Sequence, residues 1–183
     1  SGGDGIDSIT GGAGVDSIDA GAGNDIIIVA DDASFKVSGG VETVDGGAGT
    51  DTLSFTEGAD LTLTAPELSK LYSIEKIVLA SNTTSLTFGN ETFTNLGNDS
   101  LQITTTSTNN VTIIDGSAVS NGSFLIVDDG ANNNSDKLVG GSGDDIFRFA
   151  TTTGLTSGDT ITGGAGTDTI QLNNTAAATV DMD

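Results

Sequence analysis

The feature that most constrains this chain is a nine-residue unit that occurs six times. The unit reads G-G-x-G-x-D-x-U-x, where U is a large apolar residue, and Ala20 replaces the first glycine in the third copy. Three copies are contiguous over residues 2–28, and the others cover residues 46–54, 140–148 and 163–171. A single copy would be an ordinary cluster of turn residues. Six copies with three in frame instead predict a repeating structure.

The residue types of the unit suit a loop that surrounds a cation. Glycine permits positive φ and has no Cβ, so that successive carbonyl groups can point at one centre. Calcium takes about six to eight oxygen ligands, which carbonyl and carboxylate groups supply. The unit therefore predicts six residues of loop followed by three of strand, with the apolar residue pointing inward. Two units make one coil, and each loop is expected to stack on the loop two units later.

The spacing of the copies predicts which loops stack. Loop 2–7 is expected on loop 20–25, with an ion between them. Loops 140–145 and 163–168 are separated by one 18-residue coil plus a five-residue insertion, so they are expected to stack as well. The pattern predicts that Asp7 and Asp25 share one site, and that Asp145 and Asp168 share another.

An insertion over residues 30–45 interrupts the first block of repeats. Loop 11–16 consequently has no perfect partner, and Ala30-Asp31-Asp32 is expected at its stacking position without glycines. That loop would either cap the stack or pair with a more distant loop. Within the insertion, residues 35–37 and 41–44 are predicted as two short strands.

The six units resemble the calcium-binding nonapeptide repeats of RTX (repeats-in-toxin) proteins, which form a parallel β-roll. The resemblance implies an all-β fold, a right-handed parallel β-roll or β-helix solenoid, with several Ca2+ ions bound in its loops. It implies these metal-binding residues: Gly3, Asp4, Gly5, Asp7, Gly12, Ala13, Gly14, Asp16, Gly21, Ala22, Gly23, Asn24, Asp25, Gly47, Ala48, Gly49, Asp51, Gly141, Ser142, Gly143, Asp144, Asp145, Gly164, Ala165, Gly166 and Asp168.

The sequence divides one continuous solenoid into three parts. Residues 1–55 form a first repeat block, residues 56–135 form degenerate β-helix coils, and residues 136–183 form a second repeat block with a tail. In the middle part, short alternating segments bounded by Gly, Asn, Asp and Ser are typical of strands. Those segments are Leu61–Leu63, Ile74–Leu79, Ser85–Phe88, Leu101–Thr104, Val111–Ile114 and Phe124–Val127.

Two further features of the middle part are open to local interpretation. Thr64, a following proline and Glu67 form a capping box, which predicts one short helix near residues 65–72. The turns at Asp99, Asp115 and Asp128 resemble incomplete repeats. Each is either a calcium contact or, more simply, a turn with an Asx hydrogen bond.

The charge of the chain restricts its partners. There are 26 acidic residues against 5 basic ones, a formal net charge of −21. This charge argues against nucleic acid and against anionic membrane surfaces as partners. The chain has no cysteine and no histidine, so it lacks a disulfide framework and the usual zinc, iron and copper ligands. No apolar run reaches the length of a transmembrane segment.

The sequence shows no catalytic constellation, and we expect no enzymatic activity. No serine lies in a G-x-S-x-G elbow. Adjacent carboxylates such as those of Asp144 and Asp145 would point to opposite faces of a strand and would not converge on a substrate.

The chain therefore reads as part of a secreted protein, extracellular or on a bacterial cell surface, of the kind exported by type I secretion. The degenerate middle resembles calcium-dependent S-layer proteins, for which self-association or contact with neighbouring domains of the same protein is expected. The alternatives are an accessory domain of a large adhesin or of a secreted enzyme. A solenoid face that binds a surface polysaccharide is also open, although no regular threonine ladder repeats from coil to coil.

Overall fold

The computed structural model describes residues 1–12, 14–30, 35–36, 42–56, 60–80, 83–97, 100–106, 111–128, 134–149 and 154–172, with Val127 and Asp128 described by their backbone alone. The chain is a parallel β-solenoid, as the repeats predict. Every pairing between its strands is parallel, and each strand pairs with the strand that occupies the same place in the next coil. Within the described residues, no helix has the length and apolar character needed to span a membrane.

One face of the solenoid is a single eight-stranded sheet that runs through the whole described chain. Its strands are β2 (Ser8–Thr10), β5 (Ile26–Val29), β7 (Thr52–Phe55), β10 (Lys76–Leu79), β12 (Ser100–Thr105), β14 (Ser123–Asp128), β16 (Ile146–Phe149) and β18 (Thr169–Leu172). In this sheet, equivalent positions of the first two coils are 18 residues apart in sequence, whereas those of later adjacent coils are 21 to 26 residues apart.

The second face consists of two sheets. A three-stranded sheet contains β3 (Ser17–Asp19), β6 (Thr43–Asp45) and β9 (Leu71–Tyr72). A five-stranded sheet contains β8 (Leu61–Leu63), β11 (Thr84–Gly89), β13 (Thr112–Ala118), β15 (Lys137–Val139) and β17 (Thr160–Thr162). Two very short strands, β1 (Gly3–Asp4) and β4 (Gly21–Ala22), pair where two glycine loops stack.

The core is a narrow layer of side chains between the two faces. In β7, Leu53 and Phe55 point inward and are fully buried, while the alternate residues point outward. This alternation follows from the period of two in a strand. The predicted inward position of the repeat is confirmed at Ile18, Ile27 and Phe147, which are all buried. Stacking such coils gives one continuous cluster of buried residues.

Three apolar residues of the repeats depart from the expected burial. Ile170 holds the inward position of the last copy but is 37% exposed, because β18 is the edge strand of the described sheet. Ile6 and Val15, two further apolar residues of the repeats, are 79% and 52% exposed. Both stand at the fifth position of the repeat, inside the loop, where the backbone turns the side chain away from the core.

All six strands predicted in the middle part are present, with their boundaries shifted by up to four residues. The predicted helix is also present but shorter than expected. Helix α1 spans Ala65–Leu68, and its capping box is formed, with the Thr64 N–H donating to the Glu67 carboxylate at 2.6 Å. Leu71 and Tyr72 belong to β9 instead, because they pair with β6 and so close the coil.

A second helix, α2 (Asn90–Leu96), was not predicted. It ends at Gly97, whose φ of 69° is the left-handed C-cap conformation that glycine adopts readily. Phe93 and Leu96, spaced for one face of a helix, are buried against the middle coils.

The insertion after β5 differs from the two strands expected there. Phe35 and Lys36 lie in no strand, and residues 37–41 are outside the described part of the chain. The second predicted strand is present as β6, which begins at Thr43. Phe35 is fully buried, with its ring 5.9 Å from that of Phe55 in an edge-to-face contact. An aromatic side chain therefore anchors the insertion to the core.

Candidate metal centre

Five of the six motif aspartates lie in a single column along one edge of the eight-stranded sheet. The registers place Asp7, Asp25, Asp51 and Glu75 at the same level of four successive coils. The column continues through two apolar residues and ends in two more aspartates. We call the complete set the first column: Asp7, Asp25, Asp51, Glu75, Leu101, Phe124, Asp145 and Asp168.

Every carboxylate of the first column except that of Asp7 links its own coil to the preceding one. The N–H of Asp7 donates to Oδ1 of Asp25 at 2.7 Å, and the N–H of Asp25 donates to Oδ1 of Asp51 at 2.7 Å. The N–H of Asp51 donates in turn to the Glu75 carboxylate at 2.7 Å. Charged acceptors make such hydrogen bonds strong. One oxygen of each of these three acceptors is thus engaged within the protein.

The second oxygen of the aspartates is buried and has no partner. This is true of Oδ2 of Asp7, Asp25 and Asp51. Asp25 and Asp51 are 1% and 0% exposed, so water does not solvate them. A buried carboxylate oxygen without a hydrogen bond or a counter-ion is costly. Three such oxygens stacked in successive coils are therefore expected to face a cation.

The glycines of the loops allow the coils to approach each other closely. Gly21 and Gly23 have φ values of 108° and 142°, and a Cβ on either would collide with a carbonyl oxygen of the loop below. The predicted stacking of loop 2–7 on loop 20–25 is confirmed, since Gly3 pairs with Gly21 and the Gly5 N–H donates to the Ala22 carbonyl at 2.7 Å. Loop 46–51 continues the same stack, with Ala48 bridged to Ala22.

The two loops at the other end also stack as predicted. The Ala165 N–H donates to the Gly141 carbonyl at 3.0 Å, and the Asp145 N–H donates to Oδ1 of Asp168 at 3.0 Å. Here, however, protein donors satisfy both oxygens of the Asp145 carboxylate. The Phe124 N–H reaches Oδ1 at 2.6 Å and the Gly141 N–H reaches Oδ2 at 2.8 Å. This carboxylate therefore depends less on a cation than those of the first block.

Two side chains at the fifth position of a repeat also link neighbouring coils. Oδ1 of Asn24 accepts a hydrogen bond from the Thr50 N–H at 2.9 Å, and Oδ1 of Asp144 accepts one from the Thr167 N–H at 2.7 Å. Both side chains were predicted as metal ligands. In each case the contact ties one loop to the equivalent position of the next loop. Ala13, another predicted ligand, lies outside the described residues.

Loop 11–16 belongs to the second face, and the register stacks its end on a more distant segment, which is one of the two arrangements expected for it. Ser17 pairs with Thr43, so the residue opposite Asp16 is Glu42. The prediction that Ala30-Asp31-Asp32 occupies this level was wrong, because the insertion lengthens the coil and shifts the stacking position toward its end. Asp31 and Asp32 themselves lie outside the described residues.

Three carboxylates that the sequence analysis did not select occupy the sixth position of a repeat. Glu42 stands nine residues before Asp51, and Asp136 and Asp159 stand nine residues before the last two motif aspartates. Oδ1 of Asp136 accepts from the Thr112 N–H at 2.7 Å, and Oδ1 of Asp159 accepts from the Asp136 N–H at 2.9 Å. The nine-residue offset is present in the sequence, but these segments lack the glycines of the repeat and were therefore not recognised.

Asp115 lies in one of the turns that were open to two interpretations, and its contacts are those of a turn with an Asx hydrogen bond. Its Oδ1 accepts from both the N–H and the hydroxyl of Ser117, and Lys137 lies 3.6 Å from its other oxygen. These contacts, led by the Ser117 hydrogen bond, hold the pKa of Asp115 below its usual range. Protein groups thus satisfy this carboxylate. Asp99 and the side chain of Asp128 lie outside the described part.

The chemistry of the first-block loops fits calcium. Buried, unpartnered carboxylate oxygens supply charge, and the glycine loops bring main-chain carbonyl groups to the same place. In the described ranges, no three His, Cys, Asp or Glu side chains cluster as a metal site. An ion in these loops would therefore take most of its ligands from the backbone, as a hard, oxygen-binding cation can.

Burial makes several of these carboxyl groups weaker acids than usual. Desolvation, followed by the nearby charge of Asp16, raises the pKa of Glu42 to about 7. Desolvation also raises the pKa values of Asp51 and Asp145, and neighbouring carboxylates add to both effects. In the absence of a cation, the folded coils therefore favour the protonated form of these groups.

This gives a pH dependence with a definite sign. A carboxyl group with a raised pKa stabilises the fold below its ordinary value, and that contribution is lost as pH rises through the folded pKa. For Glu42 the loss falls between its ordinary value of 4.5 and about 7. In calcium-free buffer the protein is expected to be more stable at pH 5 than at pH 8, measured by urea midpoint. Saturating calcium should remove or reverse the difference, and greater calcium-free stability at pH 8 would contradict it.

Comparison with known proteins adds one match. A family model described as the RTX calcium-binding nonapeptide repeat (4 copies) matches residues 1–33, 38–61, 130–148 and 153–174. These segments together make up more than half of the chain, and they include Glu42, Asp136 and Asp159. No curated protein and no solved structure was found to match the chain.

Proposed function

Since the chain belongs to the RTX calcium-binding nonapeptide repeat family, we propose that it is a structural module of a secreted protein that calcium folds and stiffens outside the cell. The observation that carries this proposal is the stack of buried Oδ2 atoms of Asp7, Asp25 and Asp51, which have no partner within the protein. In this proposal the ions lie between stacked loops, where one ion neutralises carboxylates from neighbouring coils.

The folding mechanism is a linkage between calcium binding and coil formation. In the unfolded chain the motif aspartates are solvated and far apart, so no site exists. Forming the coils brings negatively charged carboxylates close together where water does not reach them. The net charge of −21 on the chain adds to this repulsion. A ligand that binds only the folded state stabilises that state in proportion to the logarithm of its concentration. Low calcium thus favours an unfolded first block, which suits export, and millimolar external calcium favours the complete solenoid.

We further propose that the parent protein acts at a bacterial cell surface, as an S-layer-like lattice component. The long continuous sheet and the non-repeat coils between the two repeat blocks support a rigid building element. Self-association, or contact with neighbouring domains of the same protein, would then form the lattice. A role as an accessory domain of an adhesin or of a secreted enzyme is the second candidate. In that second role, any catalysis would reside in another domain of the parent protein.

The calcium function predicts a specific effect of neutralising the middle of the stack. The substitution Asp25→Asn keeps an oxygen for the Asp7 N–H but removes the charge between two stacked loops. We expect at least one calcium ion fewer by isothermal titration calorimetry, and a calcium midpoint for folding raised about tenfold, equivalent to about 1.4 kcal/mol. Glu91→Gln, the same kind of change at an exposed position of α2, should match the wild type. Unchanged stoichiometry and midpoint in Asp25→Asn would refute the inter-loop site.

A separate experiment distinguishes the lattice from the accessory domain. The chain is taken to millimolar calcium at increasing concentration, and its assembly is followed by light scattering and electron microscopy. Ordered sheets that disperse in chelator would support a lattice component. A protein that remains monomeric at every concentration would favour the accessory domain.

A further inference from the structure

The sequence contains a tripeptide that the calcium function leaves unexplained. Asn-x-Ser/Thr, in which x is not proline, occurs seven times, and every copy lies after residue 81. The copies begin at Asn82, Asn90, Asn98, Asn110, Asn121, Asn133 and Asn173. This tripeptide is the acceptor signal for attachment of a sugar to the asparagine side chain. Two copies, at residues 90–92 and 121–123, lie entirely within the described residues.

Thr92, the last residue of the first of these two copies, has a hydroxyl that takes no part in the bonding of the fold. Thr92 lies in α2 and is 0% exposed, and its Oγ1 is buried without a hydrogen-bond partner. A buried hydroxyl in this state destabilises the folded protein, whereas valine would occupy the space without that cost. The hydroxyl therefore calls for an explanation other than packing.

The asparagine of the same copy is accessible to modification. Asn90 is the first residue of α2 and is exposed. Its Oδ1 accepts hydrogen bonds from the N–H and the hydroxyl of Ser120, at 2.6 and 3.0 Å. Because a backbone N–H can only donate, the atom that faces it is the amide oxygen, and Nδ2 is the other atom of the amide. A sugar on Nδ2 would leave both hydrogen bonds intact.

The second described copy lies at the same corner of the solenoid. Asn121 directly follows Ser120 and is exposed, in the turn between β13 and β14. The hydroxyl residue, Ser123, is the half-buried first residue of β14 and pairs with Ser100 in the neighbouring coil. In both copies the asparagine is thus at the surface, whereas the hydroxyl residue belongs to the packed structure. The complete tripeptide is consequently open to a transferase only before the coils form.

We propose that Asn90 and Asn121 are N-glycosylation sites, modified on the unfolded chain. In the reaction, Nδ2 attacks the anomeric carbon of a sugar that is activated as its diphosphate ester. The N–C bond forms as the C–O bond to the diphosphate breaks, the diphosphate leaves with the bonding electrons, and Nδ2 loses one proton. Both glycans would extend from one corner of the middle coils. This inference goes beyond the calcium function and does not depend on it.

Peptide mass spectrometry of the protein secreted by the organism that produces it tests the two sites. Peptides containing Asn90 and Asn121 are expected to carry the mass of a glycan, located on the asparagine by fragmentation. Asn24 and Asn95 are the internal controls, because the residue two positions after each has no hydroxyl. They should be unmodified. Absence of a glycan from both Asn90 and Asn121 would overturn the inference and leave the calcium function untouched.

Variants expressed in the same organism test the role of the hydroxyl. Thr92→Val is expected to lose the glycan on Asn90 and keep the one on Asn121, whereas Thr92→Ser should keep both. Ser123→Ala and Ser123→Thr form the equivalent pair for Asn121. Retention of the glycan on Asn90 in Thr92→Val, or on Asn121 in Ser123→Ala, would overturn the assignment of that site.

A stability measurement separates this role from a structural one. Unmodified wild type and Thr92→Val, both produced without a glycosylation system, are compared by urea denaturation in saturating calcium. The urea midpoint of Thr92→Val should equal or exceed that of the wild type, because the substitution removes no hydrogen bond. A lower midpoint, or failure of Thr92→Val to fold, would show that the hydroxyl supports the fold and would remove the reason for assigning it to glycosylation.

Discussion

Removing calcium is expected to unfold the first block of the solenoid while the middle coils stay folded. The first block contains Asp7, Asp25 and Asp51, whose buried Oδ2 atoms have no hydrogen-bond partner within the protein and are proposed to face a cation. Without that cation the like charges of adjacent coils repel each other at low exposure. The stability of this block is therefore tied to the ion, and its strands β2, β5 and β7 should open together.

The middle coils have a different basis of stability. At the level where other coils carry a carboxylate, Leu101 and Phe124 occupy the first column and are 0% and 1% exposed. Both pack into the common core with α2, whose Phe93 and Leu96 are also buried. Apolar burial of this kind requires no ion. The change of residue type at one position of the column thus converts a calcium-dependent coil into a calcium-independent one.

Hydrogen–deuterium exchange followed by mass spectrometry measures this difference directly. In chelator, peptides covering β2, β5 and β7 should lose protection about tenfold or more, whereas peptides covering β12 and β14 should change little. Magnesium in place of calcium is the control and should not restore the protection. Equal loss of protection in both regions would show that the solenoid unfolds as one cooperative unit. It would contradict the expected difference between the first block and the middle coils.

The repeat blocks could be predicted from the sequence, because the residues of each loop determine the conformation of that loop locally. Positions such as Gly21 and Gly23 require glycine, because their φ is positive and the neighbouring loop leaves no room for a Cβ. The middle strands were predictable for a similar reason, since alternation of apolar residues directly reflects one buried face.

The parts that were not predicted depend on contacts between coils. Whether Leu71 and Tyr72 continue α1 or form β9 is decided by pairing with β6, which lies in another coil. The partner of Asp16 depends on the length of the insertion, which sets the register of the next strand. The helix α2 was missed because only Phe93 and Leu96 mark its buried face. Local sequence alone does not specify these relations.

The substitution Phe124→Ala is expected to cause a large loss of stability in the middle coils. The Phe124 ring makes edge-to-face contacts with Phe88 and Phe93, at centroid distances of 5.2 and 5.0 Å. Removing a fully buried aromatic ring typically costs about 3–5 kcal/mol, through lost transfer energy and the remaining cavity. The expected result is a corresponding fall in the free energy of unfolding, measured by urea denaturation in saturating calcium.

Phe124→Leu is the matched control, because Leu101 fills the same position of the column in the preceding coil. It should cost less than about 1.5 kcal/mol if the site can repack. Neither substitution alters the Phe124 N–H that donates to Asp145, since that donor belongs to the backbone. Calcium stoichiometry should therefore stay unchanged in both variants. A loss below about 1 kcal/mol in Phe124→Ala would contradict the role of the ring, and a lost calcium ion would mean that the apolar coils and the metal loops are not independent.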